Sequence, residues 1–182
     1  MQSVRTRFAA VVAAVLLCLT GVVLAVQSET TTASAQNPSG GIAHMFPGRV
    51  NLQPTGSGSW VNTPLRVFLP RPGTYILDAD VRGRLAGDGQ DRLLASIQAR
   101  LWDATDGAVV PRSERLVTHM NIPPLSGVVA KQSTAPISER ITVTEPTVIR
   151  LQVRRVNSIG ETIRADIFSD GSGRTSLRYQ RV

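Results

Sequence analysis

The chain has 182 residues, of which 20 are basic and 13 are acidic, and its formal net charge is +7 at neutral pH. Its single cysteine, Cys18, lies in a segment with the pattern of an export signal. The rest of the chain therefore excludes a disulfide scaffold, a thiolate zinc site and a cysteine nucleophile. With only two histidines, His44 and His119, a histidine-rich metal site is also excluded. We expect no cofactor.

Residues 1–35 have the pattern of an export signal. Arg5 and Arg7 precede an uncharged apolar run over residues 8–26. That run is long enough for the core of a signal peptide or for a membrane span, and the A-x-A triplet at residues 33–35 favours cleavage after it. We predict a secreted bacterial protein. The alternative is an uncleaved anchor with the domain outside the cytoplasm, and we expect membrane contact only in that case.

The mature chain is predicted to begin with a polar segment. Residues 36–59 are rich in Ser, Thr, Gly, Pro, Asn and Gln, so few apolar side chains are present to offset the entropy of ordering them. We predict a flexible tether there, with room for one short strand within residues 42–52. The folded domain is predicted over residues 60–182.

This domain alternates apolar and polar residues with a period of two, which is typical of strands with one buried face. The clearest runs cover residues 74–86, 93–102 and 147–154. Later segments, including residues 162–167, continue the pattern and place Ile163 in the core. Turn signals separate the runs by about 8–12 residues, a spacing typical of sandwiches and barrels. We predict an all-β fold, a jelly-roll-like antiparallel β-sandwich of two sheets with about eight to ten strands.

Two segments resemble the jelly-roll heads of the first complement component and the tumour necrosis factor superfamily. LPRPGTYILDA, residues 69–79, is similar to the P-x-x-G-x-Y turn and strand of that family. STAPISERITVTEPTVIRLQV, residues 133–153, is similar to its late pair of strands joined by a tight turn. The resemblance covers residues 63–182 and implies a homotrimer.

Arginines at outward strand positions predict a basic surface. Such a surface binds anionic groups, and an exposed indole stacks on a sugar or fills an interface. We expect an anionic glycan or a cell-surface protein as the partner. The alternative is a salt-bridged, solvated face, because Asp78, Asp80 and Asp166 occupy similar positions. Nucleic acid is not expected, because aromatic residues that stack on bases are almost absent. The candidate ligand-binding residues are Trp102, Arg100, Arg150 and Arg154.

Two other chemistries are candidates. His119, with Asp103 or Asp106 and with Ser113 or Ser126, has the residue types of a hydrolase triad, but no G-x-S-x-G motif accompanies them. Aspartates in two loops are candidate calcium ligands, because calcium takes about six to eight oxygen ligands, although Asp and Gly also form turns. The candidate calcium ligands are Asp88, Asp91, Asp103 and Asp106.

Apolar residues at outward strand positions predict an oligomeric interface. If they cluster, they form its dry centre, with the arginines as its rim. We therefore expect a secreted, non-enzymatic binding or structural module that acts through protein or glycan contacts as a homotrimer. The alternatives are a monomeric carbohydrate-binding or cell-wall-associating module and, third, a hydrolase. The candidate interface residues are Phe68, Ile76, Leu94 and Val148.

Overall fold

The computed structural model describes residues 39–45, 48–124 and 127–182. The predicted signal segment and its cleavage site lie outside these ranges. Within these ranges, no helix is both long enough and apolar enough to cross a membrane. The described ranges contain eleven strands: β1 (Gly40–Met45), β2 (Gly48–Asn51), β3 (Val61–Leu69), β4 (Gly73–Gly87), β5 (Leu93–Asp103), β6 (Ala108–Val109), β7 (Arg115–Ile122), β8 (Val129–Val143), β9 (Thr147–Ile159), β10 (Arg164–Ser169) and β11 (Thr175–Arg181).

The strands form two antiparallel sheets, which we call the β4 sheet and the β5 sheet. In the β4 sheet, β8 pairs with β4 on one side, and β11 and β10 pair with it on the other. β1 and β2 lie outside β11 and β10. The β5 sheet has the order β3, β9, β5, with β7 and β6 both on the far side of β5.

The connections between the two sheets are those of a jelly roll. The chain passes from β2 in the β4 sheet to β3, returns to β4, and crosses again to β5. It then crosses from β7 to β8, to β9 and to β10. With β1 and β2 as one interrupted strand, and β10 and β11 as another, each sheet has the four strand positions of a jelly roll. The predicted fold class is confirmed, with eleven strands in the described ranges rather than the eight to ten expected.

The core lies between the sheets and follows the predicted alternation. In β4, Tyr75, Leu77 and Val81 are fully buried, whereas Ile76 and Asp78 between them are partly exposed. The same alternation holds in β5 and along most of β9. The largest fully buried side chains are Tyr75, Leu52, Leu69, Leu77, Leu85, Ile97, Leu101, Ile137, Ile149, Leu151, Ile167 and Leu177.

The prediction that Ile163 faces the core is wrong. β10 begins only at Arg164, so Ile163 lies in the preceding connection, where 52% of its surface is exposed. Its neighbour Thr162 is buried instead, and the Thr162 hydroxyl accepts a hydrogen bond from Arg155 Nη1 at 3.1 Å. The period-two pattern does not show where a strand starts, which is why it misplaces this residue.

From Gly40 onward, the predicted tether over residues 36–59 holds two strands rather than the one short strand expected within residues 42–52, because β1 and β2 both belong to the β4 sheet. The buried guanidinium of Arg155 also fixes the chain after β2. It donates to Gln53 Oε1 at 2.7 Å and to the carbonyl of Thr55 at 3.0 Å. This segment is therefore held by hydrogen bonds to β9 as well as by the burial of Leu52 in the core.

A closed turn explains the proline, glycine and tyrosine before β4. The Tyr75 hydroxyl donates to the carbonyl of Arg71 at 2.8 Å, so the buried ring holds the turn against the strand. Gly73 has φ 147, and a Cβ atom there would lie 2.9 Å from Arg181 Nε. The backbone conformation therefore favours glycine, and a side chain there would also displace the Arg181 guanidinium.

Candidate ligand-binding face

The outer face of the β5 sheet carries a group of arginines and indoles, which we call the arginine–tryptophan face. Its positions alternate with buried residues, so the strand pattern itself points these side chains outward. Strand pairing brings them together, because Trp102 is the Cα partner of Arg150 and Arg150 is the Cα partner of Arg66. The face consists of Trp60, Arg66, Arg100, Trp102, Arg150 and Arg154.

Four of these side chains form a continuous stack. Arg100 Cζ lies 4.0 Å from the ring centroid of Trp60 and 5.1 Å from that of Trp102. Arg154 Cζ lies 4.4 Å from the centroid of Trp60. A guanidinium over an indole gains about 0.5–1 kcal/mol at an exposed site. The stack therefore holds two flexible arginines in fixed positions.

Hydrogen bonds from side-chain amides fix the stack further. Arg100 Nε donates to Gln152 Oε1 at 2.9 Å, and Gln152 Nε2 donates to Asn62 Oδ1 at 2.9 Å. Arg154 Nε donates to Gln98 Oε1 at 2.7 Å. Gln152 lies at an outward position of β9, yet it is buried, and it is hydrogen-bonded on both sides.

One carboxylate accompanies the stack. Arg154 Nη2 donates to Glu114 Oε1 at 2.8 Å. Burial lowers the pKa of the Arg100 guanidinium; the Glu114 charge acts against this, and the Arg154 charge adds to it. A guanidinium stays protonated in proteins, so the face is positively charged at neutral pH.

Arg66 and Arg150 lie beside this stack and differ from its arginines. They are Cα partners on adjacent strands. Within the described residues, neither side chain makes an ion pair or a hydrogen bond. Like charges directly opposite each other destabilise a sheet. An anion placed between the two guanidinium groups would remove that repulsion.

The outer face of the β4 sheet shows the opposite arrangement. Four of its arginines lie next to aspartates, so their charge is neutralised within the sheet, whereas Arg49 and Arg140 have no described ion pair. The predicted alternative of a salt-bridged face therefore describes the β4 sheet. The pairs are Arg82 with Asp170 at 2.5 Å, Arg84 with Asp166 at 3.0 Å, Arg164 with Asp166 at 2.6 Å, and Arg178 with Asp78 at 3.5 Å and with Asp80 at 3.6 Å.

The structure brings the four predicted ligand-binding residues together on the arginine–tryptophan face. The sequence prediction did not include Trp60. This residue precedes β3, so the alternation within a strand does not show which way its side chain faces. The sequence prediction also did not include Arg66 in the site, although the outward parity of Arg66 was evident. Only strand pairing shows that Arg66 lies opposite Arg150.

The predicted calcium ligands do not converge. Asp88 and Asp91 lie in the connection before β5, whereas Asp103 ends β5 and Asp106 follows it. The two pairs are separated by an 11-residue strand at about 3.3 Å per residue. Among the described residues, no group of three or more His, Cys, Asp or Glu side chains is placed to hold a metal ion. Asp103 instead accepts hydrogen bonds from the backbone of Thr105 and so forms a turn.

The predicted interface residues do not form one patch. Phe68 and Val148 are Cα partners on the β5 sheet, but Ile76 lies on the β4 sheet. Leu94 pairs with Ile159, at the opposite end of β9 from Val148. The condition for a single interface centre is therefore not met, because the alternation of a strand shows which face a residue lies on but not its position along the sheet.

The residue types of a hydrolase triad are also apart. His119 is exposed and pairs with Ser96, whereas the Ser113 hydroxyl is buried and donates to the carbonyl of Val110 at 2.7 Å. Asp103 is seven residues along β5 from Ser96, which is about 23 Å. The alternative serine, Ser126, lies outside the described residues.

Comparisons with known proteins add a distant structural likeness. No family model and no curated protein matches the chain. A mutant VP2 protein of infectious bursal disease virus, from derived T=1 particles, aligns with 15% identity and a TM-score of 0.42 over 78% of this chain and 32% of that chain. A structure of the Gx strain of this virus aligns with 15% identity and a TM-score of 0.37 over 79% of this chain and 37% of that chain. The chain thus spans about a third of the length of these proteins.

Proposed function

We propose that this protein is an exported, non-enzymatic binding module that holds an anionic glycan on the arginine–tryptophan face. The observation that supports the proposal is the Arg66–Arg150 pair, which has no acidic partner among the described residues and lies next to a rigid stack of arginine and tryptophan. Sulfate and carboxylate groups match the planar donor fork of a guanidinium.

The shape and chemistry of the face favour a sugar polymer. The outer side of a sheet is broad and open, so it suits an extended chain with repeated charges. Trp102 contacts only Arg100 among the arginines of the stack, which leaves it as the indole for a sugar ring. Trp60 already contacts two arginines, so the face lacks the row of free aromatic rings on which single-stranded nucleic acid stacks.

The experiment is a calorimetric titration of the protein with dextran sulfate and, in parallel, with neutral dextran. We expect dextran sulfate to bind and to weaken as salt is added, because exposed charges are screened. We expect no binding of neutral dextran. The variant R66A/R150A should bind dextran sulfate about tenfold more weakly, which corresponds to about 1.4 kcal/mol.

A matched double variant separates a specific face from net charge. Arg49 and Arg140 are exposed on the β4 sheet and make no described ion pair, so R49A/R140A removes the same charge elsewhere. It should keep most of the wild-type affinity. Equal weakening in both double variants would reject the proposed face.

The resemblance to complement and tumour necrosis factor heads extends the proposal to a homotrimer. Its support is the sequence similarity over residues 63–182. Light scattering on the purified protein tests it, since a monomer at tens of micromolar would reject the trimer and leave the monomeric glycan-binding module.

A further inference from the structure

An open apolar groove lies beside the arginine–tryptophan face, between the edge strands β1 and β3. We call it the edge groove. Its volume is about 360 Å³, within the range of about 300–1,000 Å³ typical of small-ligand sites. Two of its large side chains, Ile42 and Phe68, are 54% and 55% exposed. The groove is lined by Gly41, Ile42, Ala43, Arg66, Phe68 and Tyr179, together with Val67 and Pro70.

The packing of β1 against β11 shapes this groove. A Cβ atom on Gly41 would lie 2.6 Å from Cε1 of the Tyr179 ring. Glycine at this position therefore lets the tyrosine ring lie against the backbone of β1. The ring also meets Tyr75 edge-on at 5.8 Å between centroids, which anchors it to the core. The groove is thus built on a fixed aromatic side chain.

Arg66 joins the groove to the charged face. It lines the groove, and it is also the Cα partner of Arg150. The next outward pair along the same two strands is Phe68 with Val148, which is apolar. A pair of unneutralised cations therefore lies directly beside an exposed apolar groove. Exposed apolar patches with a polar rim mark interaction sites.

We propose that the edge groove holds the alkyl chain of an anionic amphiphile whose acidic headgroup lies on Arg66 and Arg150. This inference rests on the proposed function, because the headgroup uses two arginines of the same face. Charge complementarity selects the anion, and the apolar walls select the chain. The ligand class is an acidic headgroup carried on a single alkyl chain.

The test is a titration of the full protein with dodecyl phosphate below its micelle concentration. Inorganic phosphate and the neutral dodecyl maltoside serve as probes of each half of the ligand. We expect one equivalent of dodecyl phosphate to bind at least about tenfold more tightly than either probe, which is about 1.4 kcal/mol. Binding of inorganic phosphate or of dodecyl maltoside as tightly as dodecyl phosphate would overturn the proposal.

Variants place the alkyl chain in the groove. F68S should weaken dodecyl phosphate binding about tenfold or more and leave the melting temperature unchanged, because Phe68 is largely exposed. Ile163 is 52% exposed and lies outside the groove, so I163S is the matched control and should bind like the wild type. I42S repeats the test from β1. Equal binding by F68S, I42S and I163S would overturn the proposal.

Dextran sulfate, measured in parallel, separates the two proposals. F68S should bind dextran sulfate as the wild type does, because the arginines are unchanged. If the wild-type protein binds dextran sulfate but binds dodecyl phosphate no more tightly than either probe, the amphiphile proposal is rejected and the glycan proposal stands. A protein that binds neither ligand would lose both.

Discussion

Arg66 and Arg150 lie directly opposite each other on β3 and β9, and no carboxylate in the described part of the chain neutralises them. On the other sheet, Arg84 has the opposite environment, since it bonds to the buried carboxylate of Asp166 at 3.0 Å. These arginines therefore differ in whether a carboxylate neutralises them. Arg84 is neutralised by a buried carboxylate, whereas Arg66 and Arg150 remain exposed to a ligand without a described acidic partner.

This difference predicts opposite effects on stability. R66A should leave the free energy of unfolding unchanged or raise it by up to about 1 kcal/mol at low salt, because it removes a like-charge pair. R84A should lower it by about 1–3 kcal/mol, because the Asp166 side chain, only 2% exposed, loses a donor. Urea denaturation of both variants checks this. A larger loss for R66A than for R84A would contradict the charge assignment.

The stack predicts unequal roles for the two indoles. Trp60 contacts Arg100 and Arg154, whereas Trp102 contacts Arg100 alone. W60L keeps an apolar side chain but removes two cation–π contacts, so it should lower the free energy of unfolding by about 1–2 kcal/mol. W102L removes one contact and should lower it by about half as much. Denaturation curves in which W102L is the more damaging variant would refute the order of the stack.

The alternation of buried and exposed strand positions predicts that two leucines contribute differently to stability. Leu151 is fully buried between the sheets, so L151A should cost about 2–5 kcal/mol. Leu116 is 56% exposed, and L116A should change stability by no more than about 0.5 kcal/mol. Thermal unfolding followed by circular dichroism makes the comparison. Equal melting temperatures would show that the strand phase is wrong.

The ion pair of Asp170 with Arg82 predicts a contribution to the stability of the fold that depends on pH. The hydrogen bond from Arg82 holds the pKa of Asp170 below the ordinary value of 3.8. Ionised Asp170 therefore stabilises the fold above pH 3.8, and this contribution is lost as the pH falls through the lower folded-state pKa. D170N should melt below the wild type at neutral pH and match it in strong acid. A difference that grows on acidification would contradict the sign.

Export predicts a defined N-terminus. Protein recovered from the culture medium should begin at Gln36, after the A-x-A triplet at residues 33–35. N-terminal sequencing measures this. An intact Met1 in the membrane fraction would establish the uncleaved anchor instead.

The sequence predicted the fold because period-two burial is local information. The alternation through Tyr75, Leu77 and Val81 needs no knowledge of the partner strand. Arg155 is a residue whose environment the local alternation does not predict. It occupies an inward position and is 6% exposed, and its partners Gln53 and Thr55 are about a hundred residues away in sequence. No local pattern shows such a pairing.

The candidate site was predictable only in part for the same reason. Outward parity identified Arg100, Arg150 and Arg154 as surface residues, and strand pairing then decided which of them meet. The same alternation predicted that Phe68 and Ile76 both face outward, but the topology places them on different sheets. Strand order therefore separates a real cluster from residues that merely share a parity.

The most direct test of the central claim is to map where a sulfated oligosaccharide binds, using the arginine Nε–H and tryptophan indole resonances of the ¹⁵N-labelled protein. We predict that the largest shifts occur at Arg66 and Arg150, with smaller shifts at Arg100 and Trp102. Largest shifts at the aspartate-paired Arg84, on the opposite sheet, would contradict the account.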